Sequence, residues 1–469
     1  MFKSKFALTV LSATTLALAL LTAAAAAVPP TDLTAALQWR SVGPYLGGRV
    51  TSLAGVPAEP SLFYMATAGG GVWKTEDYGH NWRNISDKYF KTGSVGAIAI
   101  APSNPKIIYA GTGDPAIRNT FLTGDGMYKS TDAGKTWSRI GLESTEVISF
   151  IIVDPNDPDV VYVAAMGHVW APNPERGVFK TTDGGKTWKK ILYVNEDTGA
   201  ITMAMDPRNP QVLYAAMWQA YRRHWTFSSG GPGSGIYKST DGGAHWKNIS
   251  RNPGLPGGIF GKVGLAVAPS DGNVVYALVQ ANYRPGHPGG LFRSDDGGQS
   301  WKLTNDSLDI TQRAFYYNTV YVDPKDPNTI YLPNADVFVS HDSGKKLTKL
   351  HPPHGDNHVF WINPNDTKTL IEGNDGGATV SLDGGKSWSV EDNQPTGQFY
   401  HANLDDQFPF HIYGAQQDRG SVEASNAEPA EWTSVSGGEM TWVVPTPGKP
   451  WVTYGSGYYS QEVREDKRT

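Results

Sequence analysis

Three short polar segments in the C-terminal half of the chain place carboxylates beside amides. Asp356 lies in GDNH, Asp375 in GNDGG and Asp418 in GAQQD. If the fold brings these segments together, they form a cluster of carboxylates and amides, and a pair of carboxylates is what glycoside hydrolysis requires. Solvated polar side chains lining a channel are the plainer explanation. The sequence therefore predicts Asp356, Asp375 and Asp418 as candidate catalytic residues and leaves both explanations open.

Residues 351–358, HPPHGDNH, contain three histidines as well as Asp356. These residue types suit a borderline metal such as zinc, but their spacing fits no standard metal site. Pro352 and Pro353 instead indicate a rigid turn whose histidines hydrogen-bond locally. We therefore predict that this protein has no metal site and no cofactor.

A twelve-residue pattern, clearest at residues 177–188 as GVFKTTDGGKTW, occurs seven times, and the sixth copy lacks the final Trp. Its first residues predict a strand that is covered on both faces. The Ser or Thr, Asp and Gly at its centre predict a tight turn held by local hydrogen bonds. The central carboxylates, which we interpret as structural, are Asp77, Asp132, Asp183, Asp241, Asp296, Asp342 and Asp383.

Successive copies of this pattern are 41 to 58 residues apart, which is the length of a propeller blade. Segments such as VDPNDPDVVYVAAMG, residues 153–167, predict two further strands around a Pro-containing turn. The predicted fold is thus an all-β propeller of four-stranded blades, with the repeated turn between strands C and D. The predicted divisions are a signal peptide at 1–27, a short linker at 28–36 and a propeller at 37–469, with clear blades near 49–85, 94–140, 147–191, 200–249, 262–304, 315–350 and 357–390, and degenerate units near 398–435 and 439–469, the last one partial.

Two arrangements of these units are open. The segment from Trp39 to Val42 has the form of a final strand with no blade before it, so it could complete a ring of nine units. Alternatively, the sequence is a piece of a larger propeller protein. The sequence favours the second arrangement.

The strand count also predicts which end of the propeller carries function. Successive antiparallel strands turn at alternate ends, so the repeated turns lie at one end and the loops of variable length lie at the other. Arginine and aromatic residues, which are enriched at binding hot spots, gather in those variable loops. An alternative is that the long loops pack on one another as a cap. The predicted ligand-binding residues are Arg118, His168, Trp170, Trp218, Tyr221, Arg222, Arg223, Trp225, Tyr283 and Arg284.

Composition and the N-terminus indicate where the protein acts. Lys3 and Lys5 precede an apolar run and a small-residue segment, the layout of a secretory signal peptide, so we expect a secreted or periplasmic bacterial protein with no membrane span after cleavage. The chain has no Cys, which excludes disulfides and thiolate catalysis. The net charge is −5, from 40 basic and 45 acidic residues, so we expect no nucleic-acid partner.

The spacing S/T-x-D-x-G-x-x-W resembles the Asp-box, also called the bacterial neuraminidase repeat. The segments WRSVGP, GGRV, GVWKTED, DNHVFWINP, GNDGG and GAQQD resemble those of exported bacterial Asp-box propellers labelled glycosyl hydrolases. Those proteins are similar to the propeller of sortilin-type receptors. The resemblance covers residues 39–469 and implies that the Asp-boxes are structural turn locks.

The resemblance implies several roles. Sialidases need an Arg triad introduced by an F/Y-R-I-P segment, which is missing from the sequence. Xyloglucanase-like enzymes place an acid and a base between two tandem propellers. Sortilin-type propellers imply protein or peptide binding, and photosystem II assembly-factor propellers imply a chaperone role.

We therefore predict an exported propeller that binds a protein, peptide or glycan on the face opposite the Asp-boxes. The alternative is a glycoside hydrolase that acts on a polysaccharide through paired carboxylates. The identity of the ligand and the oligomeric state are left open.

Overall fold

The structure is a computed structural model that describes residues 40–284, 287–427 and 431–469. The described strands form nine sheets, in which strands that are neighbours in the chain pair antiparallel. A four-residue helix, α1 (Leu308–Thr311), precedes the sixth sheet. Within the described residues, no helix is long and apolar enough to cross a membrane. The prediction of an all-β fold made of propeller blades is confirmed.

Four of the first five sheets have four strands each, and the fourth sheet has five, because a hairpin strand is added to it. Sheet 1 is β1 (Val50–Val56), β2 (Glu59–Thr67), β3 (Val72–Thr75) and β4 (Arg83–Asn84); sheet 2 is β5 (Val95–Ala101), β6 (Asn104–Thr112), β7 (Met127–Ser130) and β8 (Ser138–Arg139); sheet 3 is β9 (Ile148–Val153), β10 (Val161–Ala165), β11 (Gly177–Thr181) and β12 (Lys189–Leu192); sheet 4 is β13 (Thr198–Asp206), β14 (Asn209–Arg223), β15 (Thr226–Ser229), β16 (Gly235–Ser239) and β17 (Lys247–Asn248); sheet 5 is β18 (Ile259–Ala268), β19 (Asp271–Arg284), β20 (His287–Ser294) and β21 (Lys302–Asn305).

The remaining four sheets have three or four strands. Sheet 6 is β22 (Tyr321–Val322), β23 (Ile330–Pro333), β24 (Val337–Ser340) and β25 (Thr348–Leu350); sheet 7 is β26 (Asn357–Ile362), β27 (Leu370–Asn374) and β28 (Gly377–Ser381); sheet 8 is β29 (Phe399–Leu404), β30 (His411–Gln416), β31 (Gly420–Ser425) and β32 (Thr433–Ser434); sheet 9 is β33 (Val444–Thr446), β34 (Lys449–Ser456) and β35 (Glu462–Asp466).

Sheets 1 to 7 form a ring, because each packs on the next and sheet 1 packs on sheet 7. Central strands such as β10 are buried along their whole length, as expected for a sheet covered on both faces. At the closure, Phe63 and Met65 of β2 share a core with Ile371 of β27 and Val380 of β28. The nine-unit closure considered from the sequence is therefore not the arrangement observed. Trp39, which that closure required, lies outside the described residues.

Sheets 8 and 9 follow the ring in sequence and attach to it through sheet 8. Arg419, in the turn between β30 and β31, donates a hydrogen bond to the Gly376 carbonyl of sheet 7 at 3.0 Å and lies 3.4 Å from the carboxylate of Glu391. Sheet 9 packs on sheet 8, where the Ser436 amide donates to Glu465 at 2.7 Å. Sheet 8 is thereby placed beside the loops of sheet 7.

The Asp-box turns are held by the same hydrogen bonds in all seven copies. In the third copy, the Thr181 hydroxyl donates to Asp183 at 2.7 Å and accepts from the Gly185 amide at 3.0 Å. Asp183 also accepts from the Thr187 amide at 2.9 Å. Hydrogen bonds from Thr187 and Thr181 hold the pKa of Asp183 well below its usual range. Gly185 has a φ of 95°, which glycine adopts without strain.

We expect Thr181→Val to lower the free energy of unfolding by about 1–3 kcal/mol, because the buried Gly185 amide loses its acceptor. Urea unfolding followed by tryptophan fluorescence measures this. Thr187→Val makes the same chemical change at an exposed position of the same turn and should change stability much less. Equal effects of the two substitutions would contradict the assignment of Thr181 as the buried lock.

Candidate functional site

The three predicted carboxylates lie at the end of the ring opposite the Asp-boxes. Asp356 immediately precedes β26, Asp375 is in the turn between β27 and β28, and Asp418 is in the turn between β30 and β31. One carboxylate oxygen of each lies within 4.8 Å of those of the other two. The structure thus brings the three together, with sheet 8 supplying one carboxylate and sheet 7 supplying two.

Asp375 is the buried anchor of this cluster, and its side chain is only 2% exposed. It lies 2.7 Å from Arg49 Nε and 2.7 Å from His358 Nε2, and it accepts a hydrogen bond of 2.7 Å from the Tyr316 hydroxyl. Burial by itself would raise the pKa of Asp375, but His358 and Arg49 outweigh it and hold that pKa well below its usual range. Asp375 is therefore a buried anion that holds Arg49, His358 and Tyr316 in position. A substrate cannot reach its carboxylate.

Asp418 is more accessible, since its side chain is 23% exposed. Burial raises the pKa of Asp418 to about 7, the negative charges of Asp375 and Glu439 act in the same direction, and Arg49 opposes them. Arg49 Nη2 lies 3.6 Å from Asp418 Oδ2. Glu439 accepts a hydrogen bond from the Asp418 amide. A carboxyl group with this pKa carries a proton that it can give up near neutral pH.

Asp356 is the second accessible carboxylate, with a side chain that is 31% exposed. The Tyr317 hydroxyl donates a hydrogen bond to it, and Arg313 Nη1 lies 3.6 Å away. These contacts suit a carboxylate anion. Asp356 and Asp418 therefore form a pair of exposed acids in different surroundings.

Sequence reasoning did not identify the residues that support this pair. Arg49 follows two glycines just before β1, Tyr316 and Tyr317 precede β22, and His358 lies in β26. His358 was considered as a metal ligand, but it contacts Asp375 instead. The signal that could have found Arg49 is its place in GGRV, where the glycine at position 48 lets the chain pass close to the Thr396 carbonyl.

A cavity of about 170 Å³ lies in the ring beside this cluster and is lined mainly by the first strands of the sheets. Lys262 of β18 lines it and is nearly fully buried, with its ammonium group 3.3 Å from the Tyr316 carbonyl. Burial lowers the pKa of Lys262 to about 8. Asp114 is also buried near Arg49, and burial raises its pKa.

One predicted ligand-binding residue, Trp218, is placed in the core, so that prediction is wrong. Its side chain has no exposed surface and lies in the core formed with sheet 5. Its indole nitrogen donates to Ser229 at 3.2 Å. The residue belongs to the long strand β14, in which every residue from Leu213 to Trp218 is buried.

The other predicted binding residues lie at the same end as the carboxylates, either in loops or at the ends of the long strands β14 and β19. Trp170 stacks between Phe121 and His224, at ring-centre distances of 4.8 and 5.2 Å, so part of this surface packs as a cap. Trp225 is 78% exposed. The side chains of Tyr283 and Arg284 lie outside the described part of the chain. The rest have these contacts: Arg118 with Tyr316, His168 with the Ser144 carbonyl, Arg222 with Phe227, and Arg223 with Tyr221.

A ring of antiparallel sheets locked by seven Asp-box turns, with polar loops at the opposite end, defines an Asp-box β-propeller. Residues 125–254 match the family model described as "Sortilin, neurotensin receptor 3", and residues 292–303 match the BNR/Asp-box repeat. These matches confirm the resemblance to sortilin-type and Asp-box proteins that the motifs indicated.

Relatives of known name include two kinds of glycosidase. A xyloglucanase of Paenibacillus sp is 26% identical over 345 residues, which are 65% of this chain and 31% of the relative. A sialidase of Bacteroides fragilis is 26% identical over 274 residues, 46% of this chain and 48% of the relative. The crystal structure of a xyloglucanase from Xanthomonas campestris aligns with a TM-score of 0.44 and 16% identity, over 92% of this chain and 80% of that one. The chain spans about a third of the length of the Paenibacillus xyloglucanase that it matches.

Proposed function

We propose that this protein is a glycoside hydrolase in which Asp418 is the general acid and Asp356 is the opposing carboxylate. The observation that carries the proposal is the pair itself: two partly exposed carboxylates, with oxygens within 4.8 Å of each other, at the polar end of the propeller. The similarity to proteins named xyloglucanase and sialidase supports this class of reaction.

The surroundings of the two carboxylates suit different roles. Asp418, with its raised pKa, donates a proton to the glycosidic oxygen as the bond breaks. Arg49, 3.6 Å away, then stabilises the Asp418 anion. Asp356, held by Tyr317 and Arg313, attacks the sugar carbon as the glycosidic bond breaks and forms a glycosyl ester. Water then hydrolyses this ester, and the Asp418 carboxylate takes up the proton of the water molecule. Asp375 takes no direct part and keeps Arg49 and His358 in place.

The separation of the two acids predicts the stereochemical outcome. Carboxylates about 5 Å apart are typical of retaining glycosidases, whereas inverting enzymes need roughly 6.5–9.5 Å to admit a water molecule. One carboxylate oxygen of Asp356 and one of Asp418 lie at most 4.8 Å apart, which fits the separation in retaining glycosidases. We expect the first-formed product to keep the anomeric configuration of the substrate. Proton NMR of the anomeric signals during the first turnovers measures this, and an inverted first product would exclude Asp356 as nucleophile.

The test of the proposal is a turnover assay. The purified protein is incubated at pH 5 to 7 with a panel of neutral and acidic polysaccharides, and new reducing ends are measured. We expect release from at least one polysaccharide. If calorimetry detects binding of a glycan or a peptide while no polysaccharide is cleaved, the protein is a binding propeller and the hydrolase proposal fails. We propose that the signal peptide predicted at residues 1–27 exports the enzyme, so that it meets such substrates outside the cytoplasm.

A further inference from the structure

A row of aromatic rings crosses the functional end of the ring and reaches the acid cluster. Phe227 of β15 lies 4.9 Å from Phe315, between ring centres. Phe315 lies 6.3 Å from Tyr316, and Tyr316 lies 4.9 Å from Tyr317. Since the Tyr316 and Tyr317 hydroxyls contact Asp375 and Asp356, this row connects sheet 4 to the proposed catalytic residues.

Four guanidinium groups lie over rings of this row, and they differ in their partners. Arg49 and Arg313 lie over Tyr316, and each pairs with a carboxylate of the cluster. Arg118 also lies over Tyr316, at 5.5 Å, and Arg222 lies over Phe227, at 5.4 Å. Neither Arg118 nor Arg222 has a carboxylate within 4.0 Å among the described residues.

The guanidinium group of Arg222 also has a hydrogen-bond donor that is not satisfied. Its Nε is buried and has no hydrogen-bond partner among the described residues. A buried donor without an acceptor costs free energy, and that cost is removed when a ligand supplies the acceptor. The flat fork of a guanidinium group matches the two oxygens of a carboxylate.

Arg118 lies close to the proposed site of cleavage. Its Nη1 is 3.4 Å from the Tyr316 hydroxyl, and that hydroxyl donates to Asp375 within the carboxylate cluster. An anion held by Arg118 would therefore sit on a sugar near the bond that is cleaved. Phe227 and Phe315, the two partly exposed rings of the row, offer faces on which sugar rings stack.

We propose that Arg118 and Arg222 form an anion subsite, so that the substrate is an acidic glycan whose sugars carry carboxylates, as in uronic acids. This inference rests on the proposed function and names the substrate class of the same site. Arg118 binds the carboxylate nearest to the cleaved bond, and Arg222 binds one further along the chain, toward sheet 4.

The test compares a uronic-acid-containing oligosaccharide with the same oligosaccharide after chemical reduction of its carboxylates to alcohols. We expect the protein to cleave the acidic form with a higher kcat/KM, by about 10- to 100-fold, which corresponds to hydrogen bonds to a charged group. Arg118→Gln and Arg222→Gln should each remove most of this preference, because each lowers kcat/KM for the acidic form far more than kcat/KM for the reduced form. Arg208→Gln is the matched control, because Arg208 lies in the turn between β13 and β14, at the Asp-box end.

Several outcomes would overturn the inference. Equal cleavage of the two forms by the unchanged protein is one, and a loss that is the same on both forms in the Arg118 and Arg222 variants is another. A preference for a sulfated glycan over the carboxylated one would assign the subsite to a different anion. Stability of each variant is measured in parallel, so that a misfolded variant is recognised.

A binding measurement separates this inference from the proposed function. Calorimetry with the acidic oligosaccharide is carried out on the unchanged protein and on Arg118→Gln. Binding that depends on Arg118 without any cleavage keeps the subsite and overturns the hydrolase. Cleavage of the acidic oligosaccharide with no dependence on Arg118 keeps the hydrolase and overturns the subsite. The absence of any binding of the acidic form also overturns the subsite.

Discussion

Arg49→Met is expected to lower the free energy of unfolding by about 3–5 kcal/mol, the usual cost of removing one partner from a buried ion pair. Arg49 and Asp375 are both nearly fully buried, and their atoms lie 2.7 Å apart. Without the guanidinium, the partners left to the Asp375 carboxylate among the described residues are His358 and Tyr316. Equilibrium urea unfolding at pH 7 measures the loss.

Two comparisons make this prediction specific. Lys302→Met breaks an exposed pair, with Lys302 4.0 Å from Asp295, and should cost less than about 1 kcal/mol. Combining Arg49→Met with Asp375→Asn should recover part of the loss, because Asn leaves no uncompensated charge. If Arg49→Met cost no more than Lys302→Met, the buried pair would not be what holds the polar end of the ring together.

The repeat made most of the fold predictable. Each Asp-box is a local structure in which Thr181, Asp183 and Gly185 bond to one another across four residues, so its turn is encoded in a single short segment. Within each sheet, strands that follow one another in the sequence pair with each other. Sequence spacing therefore predicted the strand order and the end of the ring at which the variable loops lie.

The ring closure and the supporting residues of the site depend on contacts that spacing does not contain. Sheet 1 packs on sheet 7 although the two are more than 300 residues apart in sequence. The hydrogen bond that the Asn393 side chain donates to the Gly79 carbonyl is an example. The Arg49 and Asp375 pair is separated by 326 residues. The carboxylates could be named as candidates from residue type alone. The roles of Arg49 and Tyr316 became evident only from their contacts in the folded structure. Trp218 was misassigned because loop and strand could not be divided inside the long β14.

The raised pKa of Asp418 makes the stability of the folded protein depend on pH. The carboxyl group has a pKa of about 7 in the folded protein, above the ~3.9 of an unfolded chain. The folded state therefore binds its proton more tightly, and the stability that this contributes is full below about pH 4 and is lost as the pH rises through 7. Asp418→Asn removes this titration, so the variant should lose less stability than the unchanged protein between pH 5 and pH 8.

The same substitution should abolish most of the activity. Asp418→Asn is expected to lower kcat by about 10²- to 10⁴-fold on a substrate with a poor leaving group, because no proton reaches the glycosidic oxygen. In the unchanged protein, activity should fall as the pH rises above about 7, where Asp418 loses its proton, and the residual activity of Asp418→Asn should lack this fall. Initial rates across pH 4 to 9 measure both effects.

The control is Asp157→Asn, an exposed carboxylate in the turn between β9 and β10, at the Asp-box end, where Asn keeps the hydrogen bond to the Asp159 amide. It should keep full activity and an unchanged pH profile. Substrates with an activated leaving group need little protonation, so Asp418→Asn should retain far more activity on an aryl glycoside than on a polysaccharide. An equal loss on both substrates would show that Asp418 acts in binding or folding rather than as the acid, since only a proton donor distinguishes the two leaving groups.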